Sequence, residues 1–316
     1  MRENLQGQWL PDWLHSRWGI RAAGWMFITL VLNASMGVAQ SASAEPSQLS
    51  LLGYATPLLY ENSVAKEQGV FAGAYLAYGY GWSHLWEAAL DYTVIRLVDG
   101  FAYRQVDLTV AYTNFSVPNF KWRIGAHILG NNEERLVPDE NTNSGIIALL
   151  GASVYQLYHW EIGFEGAVSY YPRYRQGRRP LLVYQGKATV VYQLSRPGSV
   201  SGLVLTLTPS VVKLSRPQGG NDLYFSVDAS IAAWIPGWSF TILGYGGETM
   251  FSVKNGGFLV YNVAEKRRYG YGATIRKILS PRLAIAVTAF RENFADKNFT
   301  NDAFLTTIMV SVGVTW

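Results

Sequence analysis

The chain has 316 residues, no cysteine, a net charge of +4, 49% hydrophobic residues and 14% aromatics. Charged residues make up 15%, against roughly 25% in an average soluble domain. The absence of cysteine excludes a disulfide framework and thiolate chemistry, and the scattered Lys and Arg behind a sequence pI of about 9.1 form no stripe, which argues against a nucleic-acid partner.

Residues 1–44 read as a secretory signal. Arg17 and Arg21 precede an apolar run from Ala22 to Ala39, and Gln40-Ser41-Ala42-Ser43-Ala44 follows. A positive n-region, an h-region and an Ala-x-Ala site predict cleavage after Ala44, with Ala39 as the alternative. The rival reading is an uncleaved anchor, for which the h-region core is short. No Cys follows the run, which excludes a lipoprotein. After residue 44 no stretch of about 18 apolar residues exists, so helical membrane spans are not expected.

From Glu45 on, short alternating segments recur with turn residues between them. They are Leu49–Tyr60, Val70–Gly81, Leu85–Leu97, Phe101–Phe115, Phe120–Leu129, Ile146–Tyr158 and Trp160–Tyr171. Then come Leu182–Leu194, Leu203–Lys213, Leu223–Ile235, Trp238–Ser252, Tyr269–Leu279, Leu283–Phe294 and a terminal segment. Leu85–Leu97 is representative: Trp86, Leu90 and Tyr92 share one face, and Glu87 and Asp91 the other, because strand side chains alternate. Ile146–Tyr158 is apolar throughout, which leaves its faces unassigned. Pro57 and Pro209 cannot donate to a ladder and are expected at strand ends or bulges. Trp238–Ser252 loses its alternation at Gly244-Tyr245-Gly246-Gly247.

The links also alternate. Glu61–Gln68, Asn131–Ser144, Tyr174–Pro180, Ser215–Asp222, Lys254–Arg267 and Glu292–Thr300 are long and mostly polar. Gly81–His84, Val117–Asn119, Tyr158–His159, Ser195–Ser199, Pro236–Gly237 and Ser280–Pro281 are tight, and only the short Val98–Gly100 breaks the rhythm.

The terminal segment Asn301–Trp316 puts Phe304, Thr306, Ile308, Val310, Val312, Val314 and Trp316 on one face and mostly small or polar residues on the other. A chain ending on an aromatic that completes such a strand resembles the bacterial outer-membrane β-barrels. The resemblance implies an all-β, antiparallel up-and-down transmembrane barrel over residues 45–316, with about 14 strands and both termini on the periplasmic side. It also implies that the last strand pairs with Leu49–Tyr60 and is read by the barrel-assembly machinery. Outer-membrane lipids and lipopolysaccharide are the expected surroundings, a monomer the expected state, and the bacterial outer membrane the expected location. A soluble β-sandwich would alternate in the same way. Against it stand aromatics at the ends of the apolar faces (Trp86, Trp122, Trp160, Trp238 and Trp316 as interface residues) and a second face rich in Gly, Ser, Thr and Ala.

Under this reading Glu87, Asp91, Asp107, Lys121, Arg123, His127, Glu161, Glu165, Lys187, Asp228 and Arg276 face the lumen, since charge facing lipid is costly. Opposed signs across a pore would produce a transverse field that sieves polar solutes; alternatively, the charges pair along the wall and fill a polar interior. Tyr103, Tyr171, Tyr224 and Trp234 would either form a sugar-stacking track or fill the barrel. His127, with Ser153 on the next strand, is the one place a hydrolytic site could be assembled. No hydrolase, nucleotide or metal motif is present, so no catalysis and no cofactor or metal are expected. The expected function is porin-like diffusion of small polar solutes or oligosaccharides through a charged lumen. The alternatives are a structural or assembly barrel, including one serving exopolysaccharide export, and an outer-membrane hydrolase or acyltransferase. Lys254–Arg267 and Asn131–Ser144 are the links expected to fold inward.

Overall fold

The computed structural model describes residues 47–81, 83–132, 142, 144–174, 179–195, 200–218, 220–296 and 301–316. The expected signal segment 1–44 and most of the link Asn131–Ser144 lie outside them.

All fourteen expected segments are strands: β1 (Ser47–Glu61), β2 (Lys66–Tyr80), β3 (His84–Leu97), β4 (Ala102–Asn114), β5 (Phe120–Asn131), β6 (Ser144–Gln156), β7 (Trp160–Tyr174), β8 (Arg179–Leu194), β9 (Gly202–Gln218), β10 (Asn221–Ile235), β11 (Trp238–Thr249), β14 (Lys266–Ser280), β15 (Leu283–Ala295) and β16 (Ala303–Thr315). Each pairs antiparallel with its chain neighbours, and β1 pairs with β16, so the sheet closes on itself. A two-residue ribbon, β12 (Val253–Lys254) with β13 (Leu259–Val260), lies between β11 and β14. Closure leaves no edge strand, which is the condition for a sheet to cross a bilayer. The closing seam runs in register from Ser50↔Thr315 to Glu61↔Phe304. Beyond it the backbones of Leu49 and Trp316 exchange hydrogen bonds, at 3.2 and 2.9 Å.

The alternation sorts the chain into two surfaces. Trp86, Leu90 and Tyr92 on β3, and Ile308, Val310, Val312 and Trp316 on β16, are exposed on the outside, while Glu87, Asp91, Ser311 and Thr315 are buried within. So wide an apolar exterior would be costly against water. The six tryptophans of the described residues, Trp86, Trp122, Trp160, Trp234, Trp238 and Trp316, all lie towards the end of the barrel that carries the termini.

Two expectations need correction. Pro57 and Pro209 sit inside β1 and β9 without bulges. Pro57 pairs with Val70 on β2, whereas towards β16 the ladder passes from Ala55 to Leu58 in unchanged register. Pro209 pairs with Val227 on β10, and the ladder to β8 skips it likewise. A missing N–H thus opens a short gap on one side and needs no extra residue. Secondly, the links Tyr174–Pro180 and Ser215–Asp222 are shorter than expected: residues 175–178 and 219–220 alone separate β7 from β8 and β9 from β10. The contrast between the two ends of the barrel therefore rests mainly on residues 132–143 and 250–265. The glycine run lies in β11, where the alternation is expected to blur. The ladder to β14 shifts between Gly246 and Thr249, and Gly247, at φ +102°, lies where a Cβ would meet Phe225 O at 2.4 Å.

Candidate functional site: a lumen beside an inward-folded loop

Residues 250–265 leave β11 at the end opposite the termini and turn down into the barrel. Their composition accounts for this. Met250, Phe251, Val253, Phe258, Val260 and Ala264 are apolar and buried, and a loop held in water would expose them. All but Phe258 pack on the upper inner wall, on Leu129, Ile147, Leu149, Leu181, Val183, Val212 and Leu214, while Phe258 packs lower, on Leu52, Tyr75, Ala77, Leu85, Ala89 and Ala111. This resolves the ambiguous Ile146–Tyr158. Ile146 and Leu150 face outward while Ile147 and Leu149 face the loop, so β6 is apolar on both faces.

At the tip, the 3-10 turn Asn255–Gly257 reverses the chain through positive φ at all three residues. A Cβ on Gly257 would lie 2.6 Å from Leu149 Cδ1. The tip is held by named bonds. Arg123 donates to Gly256 O at 3.2 Å, to Thr113 Oγ1 at 3.1 Å and to the Glu87 carboxylate, and its guanidinium lies 5.5 Å from the Phe258 ring centre. Phe258 stands edge-on to Tyr75 at 5.4 Å, and Tyr75 OH donates to Glu87 at 2.6 Å. Val253 N donates to Gln185 Oε1 at 2.7 Å. Further up, Asn262 Nδ2 donates to Gln105 Oε1 at 2.7 Å, and Thr142 Oγ1 donates to Asn262 O at 2.6 Å.

At the root of the loop, Glu265 pairs with Lys66 and Arg267, and Arg267 pairs with Glu292, all of them buried or nearly so. Burial alone would raise the Glu265 carboxyl; Lys66 and Arg267 outweigh it and hold it below the usual carboxylate range. On the ribbon, Lys254 donates to Asp228 Oδ1 at 2.5 Å. Its burial pulls the ammonium below the usual lysine range against the opposing pull of Asp228.

His127 belongs to the same anchorage. Nε2 lies 3.1 Å from Asp107 Oδ1, and Nδ1 lies 2.8 Å from Thr109 Oγ1 and 3.1 Å from Gly257 O. Gln105 donates to both Asp107 oxygens at 2.8 Å. Ser153 is not a partner: it stands opposite Lys121, and Ile147 stands opposite His127. Carboxylate, imidazole and hydroxyl do form a row. That row is buried under a loop carbonyl, and none of the three residues lines the cavity described next.

Beside the loop remains a cavity of about 390 Å³. Its lining runs from Tyr245 and Tyr261 near the loop down to Leu157, Tyr158 and His159 in the turn at the termini end. Three ion pairs line it: Lys121–Glu161 (2.6 Å), Lys187–Glu165 (2.6 Å) and Lys254–Asp228 (2.5 Å). The charges thus pair with near neighbours along the wall, in place of facing each other across an open lumen. Asp91 accepts a hydrogen bond from Tyr54 OH, and Arg276 is buried on β14 towards the termini end, off the cavity. The stacking track is absent. Tyr171 and Tyr224 pack in the core around the loop, Tyr171 against Phe251 at 5.7 Å, Tyr103 hydrogen-bonds Gln105, and neither these nor Trp234 line the cavity.

No protein-family model and no curated protein matches the sequence. Solved structures match in fold. The chain overlays the TodX deltaS2S3 mutant monoaromatic hydrocarbon channel with a TM-score of 0.52 at 8% identity, over 94% of this chain and 96% of that one. Looser matches are a bacterial polysaccharide outer membrane secretin (TM-score 0.49, 9% identity, 85% and 98% coverage) and Omp33 of Acinetobacter baumannii (0.47, 8%, 85% and 99%). With a closed antiparallel sheet, an apolar exterior and a polar interior, the chain has the fold of the bacterial outer-membrane β-barrels.

Proposed function

We propose that this chain is an outer-membrane channel for small polar solutes or oligosaccharides, shut in the present conformation by loop 250–265. The observation that carries the reading is the cavity itself. A barrel serving only as scaffold has no need of a space bordered by ion pairs along its lumen, beside a segment held by hydrogen bonds, ion pairs and apolar packing. That the TodX barrel is a monoaromatic hydrocarbon channel is consistent with passage through such a barrel. The row at His127 favours anchorage over hydrolysis, because Gly257 O occupies the place from which a substrate carbonyl would approach. In the same reading the charged residues named above face the lumen, and Trp86, Trp122, Trp160, Trp238 and Trp316 form a belt at the periplasmic interface. The barrel acts as a monomer in lipid and lipopolysaccharide, and β16 is the strand the assembly machinery reads.

The test is planar-bilayer conductance of the full chain beside a variant with residues 251–264 replaced by a short Gly-Ser link. Thr249 and Arg267 are ladder partners, so a short link can join β11 to β14. The shortened barrel should conduct steadily and the parent in brief openings or not at all. A shortened barrel that is folded, as judged by heat-modifiable migration, yet does not conduct would sink the proposal.

A further inference from the structure

The cavity has two unlike walls. One carries the three lysine–carboxylate pairs. The other carries Tyr54 stacked with Phe71 at 5.7 Å; Tyr245, stacked with Phe290 at 6.3 Å, stands beside Asp228 with the Lys254 ammonium 3.9 Å from its ring centre. In formal charge the pairs cancel, so what a solute meets depends on which member of each pair reaches the space. In all three it is the carboxylate. Asp228 is 36% exposed against 14% for Lys254, Glu165 21% against 11% for Lys187, and Glu161 18% against 15% for Lys121. Arg123 also borders the cavity, but its side chain is 7% exposed and bound to Glu87.

Rings facing carboxylates suit a positive head on an apolar body, since a cation gains both from the charge and from an aromatic face.

We propose that the cavity selects organic ammonium cations with an apolar or aromatic body, over anions of the same shape. This rests on the channel reading and names its solute class.

The experiment is calorimetric titration of the full-length protein in detergent with 2-phenylethylammonium and, separately, 3-phenylpropanoate. The ammonium should bind at least tenfold more tightly. Asp228→Asn should weaken it by about tenfold and improve the carboxylate, because Lys254 then faces the cavity without its partner. Glu165→Gln should act in the same direction, and serves if Asp228→Asn does not fold. The inference is overturned if the carboxylate binds as tightly as the ammonium, if neither binds, or if folded variants leave ammonium affinity unchanged. Steady conductance of the loop-shortened barrel with no ammonium binding would remove this inference alone. Ammonium binding to a barrel that never conducts would remove the channel reading alone.

Discussion

Phe258 is where the loop is most exposed to a single substitution. Its ring is 8% exposed and packs into a cluster with Leu52, Tyr75, Ala77, Leu85, Ala89 and Ala111, with Arg123 alongside. Cutting a buried Phe to Ala costs about 3–5 kcal/mol in a core, and the low end applies here because a cavity already borders the ring. The ring belongs to the loop and its neighbours belong to the wall, so the loss falls on the closed state of the loop and spares the closure of the barrel. At 1.4 kcal/mol per decade, about 3 kcal/mol shifts the closed-to-open ratio by roughly 10²-fold. Phe258→Ala should therefore raise single-channel open probability about a hundredfold from a low baseline, with heat-modifiable migration unchanged. Leaving the open probability within a factor of two, in folded protein, would refute the assignment of Phe258 as an anchor of the closed state.

Other outcomes follow from the same contacts. Arg123→Met strands the Glu87 carboxylate, which is fully buried, and should cost about 3–5 kcal/mol in denaturant unfolding; adding Glu87→Gln should recover most of it, and additive losses would contradict the pairing. Glu265 is held below the usual carboxylate range, so its tie to the loop is at full strength above about pH 4.3 and is lost as pH falls through the depressed value. Openings should increase only below about pH 4, and Glu265→Gln should remove that component; an unchanged profile in the variant would exclude Glu265 as its source. Removing Trp316 deletes the backbone exchange with Leu49 that completes the seam, and should lower the heat-modifiable fraction recovered from outer membranes; equal recovery would speak against a role in assembly.

Much of the barrel can be read locally. Alternation at Trp86-Glu87 or Trp122-Arg123 separates lipid-facing from lumen-facing positions because strand geometry enforces a period of two. The pairing of β16 with β1 follows once the strands are counted. The loop was less legible. Its apolar residues from Met250 to Ala264 are odd in a link, and the double-sided apolarity of Ile146–Leu150 is their counterpart. Connecting the two requires knowing where the loop travels, which no local period encodes. His127 shows the same limit: its partner Thr109 stands directly opposite on β4, but Gly257 O is 130 residues away, and a backbone carbonyl leaves no mark in composition. The prolines misled for another reason. A missing N–H needs neither a strand end nor a bulge, because a wide antiparallel wall absorbs it as one lost rung.

The central claim is that the loop tip shuts the pore, and the lack of native cysteine allows a clean test. A Cβ on Gly257 lies 3.5 Å from Leu149 Cγ, which puts Gly257→Cys within reach of Leu149→Cys for a disulfide, with some strain at the left-handed φ of residue 257. Introduced together with Phe258→Ala, which opens the loop, this pair should give a conductance that oxidation abolishes and reduction restores. Equal conductance in the two states, with the cross-link verified by mass, would contradict the account.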